Sequence, residues 1–130
     1  MRILIDTQCW LWMVSEPERL SKRARRLILD TRNERVLSTA SAWEIAIKYS
    51  IRKLELPEPP SEFVRTRMAL TQTTPLAVEL HHAVATARLP FHHRDPFDRL
   101  LIAQAQLEKL PILTSDRHFK LYDIEIIPAD

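Results

Sequence analysis

With 130 residues, 45% of them hydrophobic and 28% charged, the chain has the composition of a globular domain. Its length suffices to bury roughly two thirds of the surface that the unfolded form exposes, which argues against disorder and leaves no need for a second domain. The net charge of +2 is too small to predict nucleic-acid binding, and Cys9 as the lone cysteine excludes an internal disulfide and a cysteine zinc site.

Residues 2 to 5 read as a short buried strand, too short an apolar run for a signal peptide or a membrane span, so one cytosolic domain over residues 1–130 is expected. Thr7 to Val14 reads as a helix carrying Trp10, Leu11 and Val14, broken at Glu16-Pro17-Glu18. Ser21 caps a helix through Asp30, and Arg35 to Thr39 is a strand. Ser41 opens a helix to about Arg52 with Trp43, Ile47 and Ile51 on one stripe, before Pro57, Pro59 and Pro60 end the segment. A helix around Glu62 to Leu70, a strand over Thr73 to Leu76 and a helix over Val78 to Arg88 follow, then a basic loop from Phe91 to Arg94.

Asp95-Pro96 is a strong helix start, an acidic N-cap followed by proline at the first helical position, and Pro111 stops that helix. Pro111 to Thr114 and Ile124 to Ile127 complete the strands, with a helical turn near Arg117 to Leu121 between them. Short strands alternating with helices predict an α/β domain of three layers, a mainly parallel sheet with helices on both faces.

Glycine is absent, so the Walker phosphate loop, the dinucleotide fingerprint and the nucleophile elbow cannot be built. Four carboxylates are the remaining candidates for chemistry: Asp6, Glu44, Asp98 and Asp116. Asp6 and Asp116 follow predicted strands, and ligands in open α/β sheets bind outside the carboxyl ends of the strands. Acids gathered there without basic partners repel one another by several kcal/mol in a partly dry site unless protons or hard cations such as Mg²⁺ or Mn²⁺ relieve the field.

Each acid also has an ordinary explanation. Asp6 can cap the helix at Thr7, Ser41 to Glu44 spells a capping box with Glu44 also placed to pair with Lys48, and Asp116 can make an Asx-turn before Arg117. Asp98 lies in the first turn of its helix, where the exposed amides favour a negative charge by roughly 0.3 to 1 kcal/mol, and Asp95 is assigned the capping role. The pairs His81-His82 and His92-His93 are read as exposed rather than as zinc ligands, because adjacent histidines diverge on regular elements. Trp10, Trp12 and Trp43 are read as packing in the core or against a partner. Cys9 lies near Asp6, which raises its pKa and disfavours a thiolate nucleophile.

Taken together, the blocks Ile3-Leu4-Ile5-Asp6-Thr7, Ser41-Ala42-Trp43-Glu44-Ile45-Ala46-Ile47-Lys48, His92 through Ala105, and Leu113-Thr114-Ser115-Asp116 resemble the PIN-domain nucleases, most closely the VapC-type toxins of toxin–antitoxin pairs. The resemblance implies a PIN fold and Mg²⁺- or Mn²⁺-dependent cleavage of RNA by Asp6, Glu44, Asp98 and Asp116. Asp6, Asp98 and Asp116 would hold the metal, and Thr114 or Ser115 would assist. It also implies a homodimer and a cognate antitoxin that blocks the acidic pocket; independently of the resemblance, apolar side chains on the helix bearing Trp10, Leu11 and Val14 are expected to anchor such a partner.

Because an acidic pocket repels phosphate, RNA must also be met by basic residues at the rim. The candidates are Arg94, Arg99 and Arg117, together with the basic face of Lys22, Arg23, Arg25 and Arg26. Two rival readings stand beside this one: a catalytically silent PIN-like module that binds RNA or protein, and a phosphatase-like or receiver-like domain. The second is disfavoured because Gln8 stands where a second acid is needed.

Overall fold

A computed structural model describes residues 1–130. Five strands, β1 (Arg2–Ile5), β2 (Glu34–Ser38), β3 (Thr73–Leu76), β4 (Ile112–Thr114) and β5 (Ile126–Pro128), form one wholly parallel sheet in the order β3-β2-β1-β4-β5. The chain runs outward from β1 through β2 to β3, then crosses back to lay β4 on the other side of β1. The crevice at the carboxyl ends of β1 and β4 is therefore the topological switch point, where such sheets bind ligands.

Period-two alternation divides the strand residues between two cores. Ile3, Ile5, Leu37 and Leu113 face one side, where α1 (Thr7–Ser15), α2 (Lys22–Leu29), α3 (Thr39–Ser50) and α4 (Pro60–Thr71) contribute Trp10, Ile28, Ile45 and Phe63. Leu4, Val36 and Ile112 face the other, covered by Leu101, Ile102 and Ala105 of α6 (Pro96–Glu108), with α5 (Leu80–Ala85) packed on α6. Burial on both faces is why the strands read as near-continuous apolar runs. Trp10 is wholly buried, edge-to-face on Phe63 with its indole N–H donating to Thr73 Oγ1 at 3.3 Å. It therefore belongs to the core and offers no surface to a partner.

Local chemistry sets most element boundaries as expected. Ser21 Oγ accepts the Ala24 amide at 3.1 Å, and Asp95 accepts those of Phe97 and Asp98 at 2.8 and 3.3 Å. With no glycine to end them, α4 and α6 stop at Gln72 and Lys109 in the left-handed region, at φ of 51° and 54°. The helix expected over Val78 to Arg88 is shorter. His82 Nδ1 accepts the Glu79 amide at 2.9 Å and fixes the start at Leu80, and a 3₁₀ turn takes over from Thr86.

The start of α3 differs from the sequence expectation, with consequences for the site. Ser38 Oγ accepts the Ala40 amide at 3.0 Å, so the helix begins at Thr39, ahead of Ser41. Ser41 is buried and receives the Thr7 hydroxyl at 2.8 Å. The Ser41–Glu44 capping box therefore does not exist. The core-facing residue of the helix is Ile45, while Trp43 is 61% exposed and rests edge-to-face on Phe97 at 5.3 Å.

Candidate metal centre

All four acids line one cleft of about 470 Å³ at the switch point. Asp6 directly follows β1; its side chain makes no capping bond to α1 and its Oδ2 accepts the Thr114 hydroxyl at 2.7 Å. Thr114, at the end of β4, in turn accepts the Asp116 amide at 3.0 Å, so one hydroxyl ties the first acid to the fourth. Asp116 Oδ1 accepts the His118 amide at 2.9 Å, the Asx-turn expected there, and Oδ2 lies 2.9 Å from His93 Nε2. The same nitrogen is 3.0 Å from Asp98 Oδ2 in the first turn of α6. Glu44, buried on α3, pairs through Oε2 with Lys48 at 2.7 Å, while its Oε1 is buried with no hydrogen-bond partner.

The electrostatics follow from this crowding. Burial pushes the Asp6 pKa up against the Thr114 hydrogen bond, and the charges of Glu44 and Asp116 add to the rise. Asp98 is pushed up to about 8 by burial first, then by Asp6, Asp95, Glu44 and Asp116. For Asp116 burial also acts upward, but hydrogen bonds from His93 and His118 outweigh it and hold the carboxyl below its ordinary value. The Cys9 thiol is raised to about 12, by burial before the charge of Asp6, and is no nucleophile.

The donor set fits a hard divalent cation. Carboxylate oxygens converge from four chain segments, one of them buried without a partner, and such oxygens are the ligands that Mg²⁺ and Mn²⁺ prefer. Lys48 and Lys53 stand on the cleft wall and leave the acids undercompensated.

Several expectations need correction. Arg99 is not at the rim: it is buried, and its guanidinium donates to the carbonyls of Thr86, Leu89, Pro90 and His93 at 2.8 to 3.1 Å. Arg94 and Arg117 are exposed, as are Lys22, Arg23 and Arg26 on α2, but none of these lines the cleft. The histidines are not uniformly exposed. His82 is buried, and His93 Nε2 hydrogen-bonds Asp116 and stands 3.0 Å from Asp98.

Nor do His81 and His82 diverge: their ring centroids are 4.2 Å apart, and with Glu108 they offer ligand atoms within 4.8 Å of one another. However, His82 Nδ1 accepts the Glu79 amide, so the ring hydrogen sits on Nε2, which faces Glu108 and has no lone pair for a cation. Lys53 and His93 were the members of the site that sequence reasoning missed. No local signal marks His93, because its hydrogen-bond partner Asp116 lies 23 residues further along the chain.

A parallel sheet with a cluster of acids at its switch point defines the class, and comparison places the chain within it. The PIN domain family model matches residues 3–125, and the chain belongs to that family. Over 58 residues it is 48% identical to Ribonuclease VapC16 of Mycobacterium tuberculosis, a match that spans 45% of this chain and 41% of that protein. Its fold is shared with a chain in the crystal structure of VapBC2 from Rickettsia felis bound to a promoter DNA fragment, at a TM-score of 0.72 and 14% identity over 100% of both chains. It is shared likewise with DNA-bound VapBC from Salmonella typhimurium, at a TM-score of 0.70 and 20% identity over 98% of this chain and 97% of that one. No helix is long and apolar enough to cross a membrane.

Proposed function

We propose that this chain is a Mg²⁺- or Mn²⁺-dependent endoribonuclease and the toxin of a cytoplasmic toxin–antitoxin pair. The observation that carries the reading is the convergence of Asp6, Glu44, Asp98 and Asp116 on one cleft with too little positive charge to balance them. The partial match to a protein called a ribonuclease, and the fold shared with chains of VapBC complexes, support it.

Asp6, Asp98 and Asp116 are the residues that would hold the ion, with Glu44 completing the set. The ion supplies Lewis acidity toward the phosphodiester and an activated water at neutral pH. Thr114 keeps Asp6 and Asp116 in register, and Lys48 and Lys53 counter the repulsion of phosphate at the cleft, with Arg94 and Arg117 further out on the surface.

The antitoxin would deliver a guanidinium into the acids, whose planar fork pairs two oxygens at once. Leu11 and Leu54 on the cleft wall are the apolar contacts it meets. A homodimer belongs to the same proposal, with the exposed Trp43 and the exposed Leu80 and Val84 of α5 available to a second copy.

The purified chain should cleave RNA with Mn²⁺ or Mg²⁺ and stop in excess chelator, and its expression without a partner should arrest growth. RNA binding with no metal-dependent cleavage would favour the silent module. Cleavage in vitro without arrest in the native host would keep the nuclease and remove the toxin.

Glu44→Gln separates a ligand from a structural acid. Lys48 is half exposed and can turn to solvent, and glutamine keeps the shape and an acceptor oxygen, so the variant should remain folded. Activity should nevertheless fall, because the glutamine amide is a poor ligand for a hard cation. Full activity would return Glu44 to a purely structural role.

A further inference from the structure

His93 lies outside the cleft lining, yet its Nε2 meets Asp98 Oδ2 at 3.0 Å and Asp116 Oδ2 at 2.9 Å. It therefore meets these carboxylates from outside the cleft that a cation would enter. Every polar atom of the residue is engaged. Its amide donates to Tyr122 Oη at 2.8 Å, its carbonyl accepts from Arg99 at 3.1 Å, and its Nδ1 accepts the Asp95 amide at 3.3 Å.

Because Nδ1 accepts, the ring hydrogen is on Nε2, which makes His93 a donor to Asp116 and not a ligand in its own right. Tyr122 and Arg99 both donate to the Pro90 carbonyl as well, at 2.8 and 3.0 Å, so the whole segment from Pro90 to His93 is pinned. The His93 ring is further seated edge-to-face on buried Phe119, at 5.8 Å between centroids.

We propose that His93 is a positioning residue for the metal centre: its Nε2–H holds the Asp116 carboxylate beside Asp98, whose Oδ2 lies 3.0 Å from the same nitrogen, and Tyr122 with Arg99 fixes where that N–H stands. Two like charges brought together would otherwise rotate apart. A carboxylate oxygen has more than one lone pair, so accepting from His93 leaves it able to meet a cation on its other side. Hydrogen bonds of this kind behind metal ligands typically set affinity by 10- to 100-fold. The inference rests on the metal-site reading above.

The experiment is Mn²⁺ titration by calorimetry of the wild type, His93→Ala, His93→Gln and Tyr122→Phe, with a melt of each in chelator to establish folding. His93→Ala should weaken Mn²⁺ binding by about 10- to 100-fold. His93→Gln, which keeps an N–H within reach, should recover most of that loss. Tyr122→Phe keeps the buried ring but frees the His93 amide, and should weaken binding severalfold.

Should His93→Ala fail to melt cooperatively, the contrast of His93→Gln with Tyr122→Phe decides: unchanged affinity in Tyr122→Phe would overturn the clamp. Equal losses in Ala and Gln would assign the effect to ring packing and overturn the proposal, as would an unchanged affinity in Ala. A wild type that binds no Mn²⁺ overturns the metal reading and this inference with it. Wild-type binding with unaffected variants overturns this inference alone.

Discussion

Asp6→Asn and Asp98→Asn are each expected to lower RNA cleavage by at least about a thousandfold while leaving a folded domain. Metal-ion catalysis supplies several kcal/mol of transition-state stabilisation, and each 1.36 kcal/mol is a factor of ten. Asparagine keeps the shape and an acceptor oxygen, so the Thr114 hydroxyl still has its partner at residue 6, and the His93 hydrogen bond to Asp116 is untouched by the change at residue 98. What is lost is charge. Burial already opposes that charge at both positions, so at pH 8 and without metal the variants should melt at or above the wild-type temperature. Activity assays beside thermal melts in chelator check both halves. Retained cleavage in either variant would remove that acid from the centre, and loss of a cooperative melt in both would show that the carboxylates serve the fold.

The parts of this molecule that were legible in its sequence are those fixed by neighbours along the chain. Asp95-Pro96 announces the start of α6 because the capping carboxylate and the proline act within one turn, and Leu4 between Ile3 and Ile5 announces a strand covered on both faces. The four acids were found because two of them follow strands and because the blocks around them resemble a known family. What escaped was set by contacts that only the folded chain makes. Ser41 looks like a cap until Thr7, 34 positions earlier, takes its hydroxyl. Arg99 looks like a rim cation until four carbonyls of the preceding loop surround it. His93 looks like a surface histidine until β4 delivers Asp116 to the far side of its ring. In each case a side chain capable of two roles is assigned one by a partner that the local sequence does not name.

The metal-free protein should be most stable in mild acid, and a divalent ion should reverse that dependence. Asp98 has a folded pKa of about 8 against 3.8 for an ordinary aspartate, and Asp6 is also raised. Between those values the folded state holds protons that the unfolded chain has released, so stability falls as pH rises through the window. The cost is absent below the ordinary aspartate value and complete above about 8. Asp116, whose pKa is lowered, acts the other way, but only as pH drops toward the acid end. In chelator, Tm should therefore climb as pH is lowered from 8.5 to 5.5.

Metal ligands must be deprotonated, so Mn²⁺ competes with the Asp98 proton and its affinity should rise over the same range. At a concentration 100 times Kd the ion adds about 2.7 kcal/mol, or roughly 10 °C for a chain of this size. That increment should be large at pH 8.5 and small at pH 5.5, read from melts with and without Mn²⁺ at each pH. A Tm in chelator that instead rises steadily with pH, together with an Mn²⁺ increment that does not depend on pH, would mean that the carboxylates are already balanced and that the cleft is not built around a missing positive charge.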